Sequence, residues 1–328
     1  MKIALLASSL FFSWFTSSVP SDYLRSQDTT LSCRQQLDKA ELVVKNPKEK
    51  EKIIFIKELD KYLRDFGLVK GNAYCSYSSN PPEKAELTVI KRIVSGGETT
   101  SKFSSEVYYG TEKEMREKEK EFAEKNAKNP SEKYETSLRT SIQSPNSPIT
   151  FKFLQYSYGT IADLFIHERM HDEYNLPMEI EEALCDAAAD HLAKDFFQTR
   201  IYRADLAGEV ELQAQKQMQE AEKIIEAYDT LEWLYARKGV TEEKKEEFRN
   251  KYLVEMREEF KNPAINDAWI HRQMYYHRYF RELYLIPLRM ELTVEEMLWW
   301  YASLPASLST AEKELVNLCE ELHCKEKK

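Results

Sequence analysis

The second half of the sequence carries an almost unbroken helical pattern, and this pattern constrains the fold more than any other feature. From Gly159 onward, apolar residues recur at the three- and four-residue spacing that places them on one face of a helix. The longest such stretch runs from about 207 to 238. Glycine accounts for only 8 of 328 residues, whereas charged residues make up 31%. Both figures favour long, salt-bridged helices over a turn-rich β fold.

Breaks in the pattern predict where these helices begin and end. Asn175-Leu176-Pro177 ends the first helix, and the next is expected from about 178 to 199. Thr241 is expected to cap the helix that follows the longest one. Two Ser/Thr-x-x-Glu sequences, at 293–296 and 309–312, predict capping boxes that open the last two helices.

The first half of the sequence predicts a small β-sheet among further helices. A helix is expected from about 28 to 67, and a charged one from Thr111 to Lys128. β-Branched and aromatic residues predict three strands, at Leu87–Val94, Ser105–Tyr109 and Ile149–Tyr156. The polar, proline-containing stretch Asn129–Ser147 predicts a loop.

The N-terminal segment predicts export. Lys2 is followed by a mostly apolar stretch from Ile3 to Phe15 and by small residues at 16–18, as in a signal peptide or an uncleaved anchor over residues 1–18. The stretch is shorter than the roughly 20 residues of a usual transmembrane helix. A buried N-terminal helix is the alternative. We expect a periplasmic, cell-envelope or extracellular protein whose membrane association, if any, is through this segment.

Net charge and cysteine content further limit the class of protein to which the chain can belong. A formal net charge of −9 disfavours a nucleic-acid partner, which requires a basic face. Export would permit disulfides. Cys33 could pair with Cys75, and Cys319 with Cys324, which would leave Cys185 free. Unpaired thiols throughout are the alternative.

His167-Glu168-Arg169-Met170-His171 is an HExxH motif within the first of the later helices. Residues four apart on a helix differ by only about 40° around its axis, so both imidazoles point to one side. Their nitrogens can bind one Zn²⁺, and Glu168 can act as general base on a water molecule that zinc polarises. Two ordinary helical histidines are the alternative, although the chain has only 6 in all.

A catalytic zinc site needs a third protein ligand, and Glu182 in the following helix is the expected one. A turn near Asn175 would fold that helix back onto the motif. Asp186 lies one turn beyond Glu182 on the same face, and we expect it to accept a hydrogen bond from a ligand imidazole. Glu181 is the rival third ligand, on a face about 100° away. Because acidic residues are abundant, solvated carboxylates without a metal are the alternative.

A second polar cluster lies on a strongly aromatic helix near residue 270. Tyr276 could donate a hydrogen bond to the oxyanion of a tetrahedral intermediate, and His271 is a rival donor. Asn266 and His271 are the candidates for substrate binding. The alternative is that these side chains pack the core and extend their polar tips to the surface.

These residues give the sequence a resemblance to the predicted aminopeptidases of bacterial envelopes, a family with an HExxH motif. The leader at 158–166 before His167-Glu168 resembles that of the family's metal helix. Glu181-Glu182-Ala183 stands where the family has an Asn-Glu pair followed by small residues. Three segments carry the rest of the likeness: Asn266-Asp267-Ala268, Tyr276, and the stretch at 67–77.

The resemblance implies a zinc aminopeptidase, with a peptide as substrate. The expected fold is a mainly α (α+β) single domain over residues 28–328, zincin-like, with a small β-sheet preceding the HExxH helix. An aminopeptidase also needs an acid for the substrate's α-ammonium group, and Glu179 or Glu181 could serve. A zinc endopeptidase is one alternative. A non-catalytic envelope protein with a structural or vestigial metal site is the other.

Overall fold

Helices make up most of the described chain, which in this computed structural model comprises residues 31–68, 70–79, 84–95, 98–99, 104–129, 131–140, 147–171, 173–174 and 176–324. The expected mainly α fold with a small β-sheet is confirmed. Residues Cys33–Lys328 cluster into one compact unit. The predicted signal or anchor at 1–18 lies outside the described residues. Within the described ranges, no helix combines the length and apolar character needed to cross a bilayer.

The predicted helix at 28–67 is two helices, α1 (Cys33–Val43) and α2 (Pro47–Asp65). The break falls at Asn46, whose side chain caps α2 by accepting from the amide of Lys48 at 3.0 Å. Pro47 causes it, because a proline disfavours helical conformation in the preceding residue but fits the first position of a helix.

One of the two expected disulfides is present. Cys33 at the start of α1 is bonded to Cys75, which confirms that pairing, and Cys185 is free as expected. The pairing of Cys319 with Cys324 is wrong, since these two buried cysteines form no disulfide with each other. Cys324 instead helps to end the last helix, its amide donating to the carbonyl of Cys319 at 2.9 Å.

The sheet is antiparallel, with a long central strand. β1 (Ala85–Ser95) lies between β3 (Ser104–Gly110) and β4 (Glu132–Thr140), and the two-residue β2 (Glu98–Thr99) pairs with its end. The first two predicted strands are confirmed as β1 and β3. Helix α3 (Glu112–Lys128) follows β3, close to its expected bounds.

Two expectations about this region are wrong. The predicted loop at 129–147 contains β4, a polar strand that pairs with β1 from Glu132 to Thr140. The predicted strand at 149–156 forms only a bridge between Ile149 and Tyr77, followed by a 3-10 turn at Phe153–Gln155. Phe153 and Leu154 are buried among helices rather than paired with a strand, so the HExxH helix follows a tight turn.

Eight further helices complete the described chain: α4 (Tyr158–Met170), α5 (Met178–Thr199), α6 (Ala204–Ala236), α7 (Glu242–Glu259), α8 (Asp267–His277), α9 (Phe280–Arg289), α10 (Val294–Ser303) and α11 (Leu308–Glu321). The capping box at Thr293 is confirmed, and Thr241 occupies the N-cap of α7. The capping box predicted at 309–312 is wrong, because helix α11 begins earlier than expected, at Leu308.

Helix α5 is the centre of the helical core. It packs against α4, α6, α8 and α9. Three consecutive alanines, 187–189, are fully buried and allow neighbouring helices to approach closely. Helices α4 and α8, which carry candidate site residues, are therefore both held against α5, which carries Glu182 and Asp186.

A buried ion network joins the sheet to α7 and α8. Asp267, at the start of α8, binds Arg249 of α7 at 2.8 Å and Arg92 of β1 at 3.4 Å. Glu135 of β4 pairs with both arginines and accepts from the amide of Asp267 at 3.2 Å. Tyr235 of α6 donates to Asp267 at 2.5 Å. Asp267 thus fixes the position of α8 relative to β4.

Replacing Asp267 with Ala should lower the free energy of unfolding by about 3–5 kcal/mol, because it removes one of the two carboxylates that both buried guanidinium groups share and leaves their charge undercompensated. Urea denaturation followed by circular dichroism measures this loss. Glu259→Ala is the matched control, because it removes an exposed carboxylate paired with Lys223. Equal denaturation midpoints for the two variants would contradict the role assigned to the network.

Candidate metal centre

Helix α4 presents both motif imidazoles on one side near its C-terminal end. Ser157 caps its start by accepting from the amide of Thr160 at 3.1 Å. His167 lies in the last turn and His171 at the C-cap. The two Nε2 atoms are 3.1 Å apart. The local helix alone therefore brings the two nitrogens together, as the spacing predicts.

Arg169, in the middle of the motif, anchors α4 from the other side. Its side chain is 1% exposed and lies 3.4 Å from the carboxylate of Asp60 in α2. It also donates to the backbone carbonyl of Leu68 at 3.3 Å. A buried, paired guanidinium resists rotation of the helix, and so holds the imidazoles in their orientation.

The chain reverses after α4, so that the first turns of α5 face the two imidazoles. Glu182 Oε2 lies 3.4 Å from His167 Nε2 and 3.5 Å from His171 Nε2. His167, His171 and Glu182 each contribute one potential ligand atom, and these three atoms lie within 4.8 Å of one another. Among the described residues, this group contains three potential ligands and no fourth.

The separations within this group fit a tetrahedral metal site. Ligand atoms about 2.1 Å from a tetrahedral zinc ion would lie about 3.4 Å from one another. The observed separations are 3.1, 3.4 and 3.5 Å. Two imidazoles and one carboxylate form a donor set typical of catalytic zinc, which leaves one coordination position for a small molecule. The cluster can therefore hold a metal ion of this size.

The outer nitrogen of each imidazole faces a carboxylate. His167 Nδ1 lies 2.7 Å from Asp186, and His171 Nδ1 lies 3.4 Å from Glu181. Gln217 of α6 donates to the second oxygen of Asp186 at 2.7 Å. A carboxylate at Nδ1 fixes the tautomer that leaves Nε2 free to bind a metal. Asp186 thus lies where the sequence places it, and the rival ligand Glu181 lies on the outer side of His171.

Burial and charge set the protonation of this cluster without metal. Burial disfavours the imidazolium of His167, but Asp186 and Glu182 outweigh burial and raise its pKa well above the usual value. The pKa of His171 is also raised, because Glu181 and Glu182 outweigh burial. Burial opposes ionisation of Glu182 too, yet the two histidines lower its pKa. Protons therefore compete with a metal for the two Nε2 atoms.

Replacing Asp186 with Asn should weaken zinc binding about 10–100-fold, the usual effect of removing a carboxylate that orients a ligand histidine. Competition titration with a chromophoric chelator at neutral pH measures the affinity. Asp205→Asn, which changes an exposed residue at the start of α6, is the matched control. An unchanged affinity for Asp186→Asn would contradict the orienting role.

Glu168 lies next to the first ligand and is 7% exposed. Burial raises its pKa, whereas the charges of His167 and His171 lower it. The charges of Glu182 and Arg139 also act on this carboxyl, so it lies within electrostatic range of the cluster. A carboxyl whose pKa is raised is suited to exchange protons with a water molecule.

Tyr276 lies on α8, which packs against α5, the helix that carries Glu182. Burial raises its pKa, and the negative charges of Glu182 and Asp186 act in the same direction. Its hydroxyl accepts a hydrogen bond from Arg139 Nη1 at 3.0 Å. The phenol therefore remains protonated and can act as a hydrogen-bond donor.

The other two candidates on this segment have structural contacts. Asn266 caps α8 by accepting from the amide of Trp269 at 2.8 Å, and its amide donates to the carbonyl of Thr136 in β4 at 2.9 Å. His271 packs between the rings of Tyr228 and Tyr275, at 5.9 and 5.8 Å between centroids. Their roles in substrate binding stay predictions.

Two polar groups near the cluster were not expected. Arg139 belongs to β4, which the sequence did not reveal. Asp163, one turn before His167, is half-buried, and desolvation together with the charge of Asp186 raises its pKa to about 7. The sequence could have indicated Asp163, because it lies four residues before His167 and this spacing places both side chains on the same face of the helix.

Comparison of the chain with protein-family models, with curated proteins and with solved structures finds no match. The likeness to the envelope aminopeptidases therefore stays an interpretation of short motifs, and the functional argument depends on the geometry of the site.

Proposed function

We propose that this protein is a zinc-dependent peptide-bond hydrolase. The observation that supports the proposal is the group formed by His167, His171 and Glu182, with ligand atoms within 4.8 Å and Glu168 beside it. Imidazole nitrogens favour zinc and similar transition metals over magnesium or calcium, which prefer oxygen ligands. Three protein ligands favour catalysis, because structural zinc sites use four.

The residues of the chain have separate tasks in this reaction. Zinc held by the three ligands would polarise the scissile carbonyl and make water more acidic. Glu168 takes the proton from the attacking water and delivers it to the leaving nitrogen, so that water and peptide yield one acid and one amine. Tyr276 keeps its proton and donates a hydrogen bond to the carbonyl oxygen as negative charge develops there.

We propose aminopeptidase specificity for this hydrolase. Glu181 lies at His171 Nδ1, which leaves Glu179 as the candidate of the original pair for the substrate's α-ammonium group. Burial raises the pKa of Tyr275, and the charges of Glu179 and Glu86 act on the same phenol. Glu179 and Glu86 therefore lie within electrostatic range of Tyr275, the neighbour of Tyr276 on α8, and could select a free amino terminus.

Export is part of the proposal. The disulfide between Cys33 and Cys75 supports an oxidising compartment, because such bonds rarely persist in a reducing cytosol. It agrees with the signal-like composition of residues 1–18.

The experiment that tests the function uses the purified chain, its zinc content and a peptide library. Each peptide is supplied with a free and with an acetylated N-terminus. We expect cleavage after the first residue of the free peptides, loss of cleavage with a chelator, and recovery when zinc is added. Equal cleavage of acetylated peptides would replace the exopeptidase with an endopeptidase. Absence of cleavage by the zinc-loaded protein would refute the hydrolase.

A further inference from the structure

A row of polar side chains crosses one end of the sheet. Glu86 of β1 is directly opposite Tyr109 of β3 and directly opposite Arg139 of β4. Residues opposite one another in antiparallel strands project from the same face. Arg139 contacts Tyr276 of α8, so this is the face turned towards α8.

Arg139 has a defined relation to Tyr276. Its Nη1 donates to the phenol oxygen at 3.0 Å, and its guanidinium carbon lies 5.9 Å from the ring centroid. A guanidinium can only donate hydrogen bonds, whereas a phenol both donates and accepts. The bond therefore occupies the acceptor side of Tyr276 and directs its own hydrogen away from Arg139.

Among the described residues, the Tyr276 hydroxyl forms no other hydrogen bond. Its hydrogen is thus available to an external acceptor. The charge of Arg139 acts on both Glu168 and Glu182, and the charges of Glu182 and Asp186 act on Tyr276, so the Arg139–Tyr276 pair lies within electrostatic range of the metal cluster.

We propose that Arg139 is a positioning residue that holds the phenol of Tyr276 in the orientation needed to donate to the oxyanion. This inference depends on the proposed hydrolase. Without Arg139, the hydroxyl of Tyr276 rotates freely and can donate to a neighbouring carboxylate or to water. With Arg139 in place, the donor is oriented before the substrate arrives, and donors fixed in advance stabilise developing charge most effectively.

A double-mutant cycle tests this role, because residues that act through one another have non-additive effects. The variants are Arg139→Met, Tyr276→Phe and the combination, each zinc-loaded with its zinc content measured. We expect each single change to lower kcat by about 10²–10³, the usual effect of losing one oxyanion donor, with KM within about twofold. The double variant should be no slower than Tyr276→Phe.

A second readout does not depend on turnover. A phosphinic peptide places a tetrahedral, negatively charged oxygen where the oxyanion would form. Its affinity should fall by a similar factor in all three variants, and Arg139→Lys should restore part of it. Lys133→Met is the matched control, since Lys133 also lies on β4 but pairs with Glu246 of α7. Its kcat and its affinity for the phosphinic peptide should equal those of the wild type.

The outcomes separate this inference from the function on which it depends. A wild-type protein without zinc-dependent cleavage would refute both. An active wild type whose single effects multiply in the double variant would refute only the positioning role. So would an Arg139→Met or Arg139→Lys variant with raised KM and unchanged kcat, because Arg139 would then bind substrate directly.

Discussion

Replacing Glu168 with Gln is expected to lower kcat for peptide cleavage by a factor of about 10²–10⁴, the usual contribution of a general base. Glutamine has the same shape as glutamate but cannot accept the proton of the attacking water. Since Glu168 is not among the residues that form the three-ligand group, zinc content should remain equal to that of the wild type. Steady-state kinetics and metal analysis of the same preparation measure both quantities.

Glu226→Gln is the matched control for this prediction. Glu226 lies on the exposed side of α6, so the change removes one carboxylate of the same type from a surface position. We expect its kcat to equal that of the wild type. If Glu168→Gln retains full activity, the mechanism is wrong even if zinc is bound.

The second large effect is expected for Glu182→Ala, which removes one of three ligands. Loss of a residue that merely orients a ligand histidine weakens a metal site about 10–100-fold, so the loss of Glu182 should weaken it more. Activity at equimolar zinc should disappear. Isothermal titration with zinc and the activity at each zinc concentration measure the two effects.

The variant Glu181→Ala distinguishes the role of Glu181 in zinc binding from that of its neighbour Glu182. Glu181 contacts the outer nitrogen of His171, whereas Glu182 faces both inner nitrogens. We therefore expect Glu181→Ala to retain stoichiometric zinc at saturating concentration, with lower affinity. If instead Glu181→Ala abolishes binding and Glu182→Ala does not, the rival ligand assignment is correct.

The part of the site that the sequence predicts is the part that local geometry determines. His167 and His171 are one helical turn apart, so their meeting requires only that α4 forms. Glu182 and Asp186 lie on the next helix, where a short connection leaves the second helix few alternatives to packing on the first. The spacing of four between these two acids then places one at the inner nitrogens and the other behind His167.

The rest of the site and of the fold depends on contacts between segments that are distant in the sequence, and a single sequence does not reveal such contacts. Arg139 reaches Tyr276 only because β4 pairs with β1 in a particular register. The polar sequence of β4 resembles a loop, since an edge strand can carry charged residues. The run at 149–156 has the composition of a strand but lacks a partner strand, and burial of Phe153 and Leu154 among helices makes it a tight turn instead.

Asn266 and Asp267 show a second reason why the sequence alone does not identify every residue of the site. Both belong to the segment that carries the resemblance, and Asn266 is a candidate for substrate binding, yet Asn266 caps α8 and Asp267 joins the ion network that fixes this helix to the sheet. Polar residues in a sequence carry no mark that distinguishes a buried structural partner from a group that meets a ligand.

The central claim is that His167, His171 and Glu182 together hold one zinc ion. A crystal structure of the zinc-loaded protein, with anomalous diffraction measured at the zinc absorption edge, tests it most directly. We expect one strong peak about 2.0–2.2 Å from the two Nε2 atoms and one Glu182 oxygen, with a non-protein group in the fourth position. A peak elsewhere, no peak, or a fourth protein ligand would contradict the proposed catalytic site.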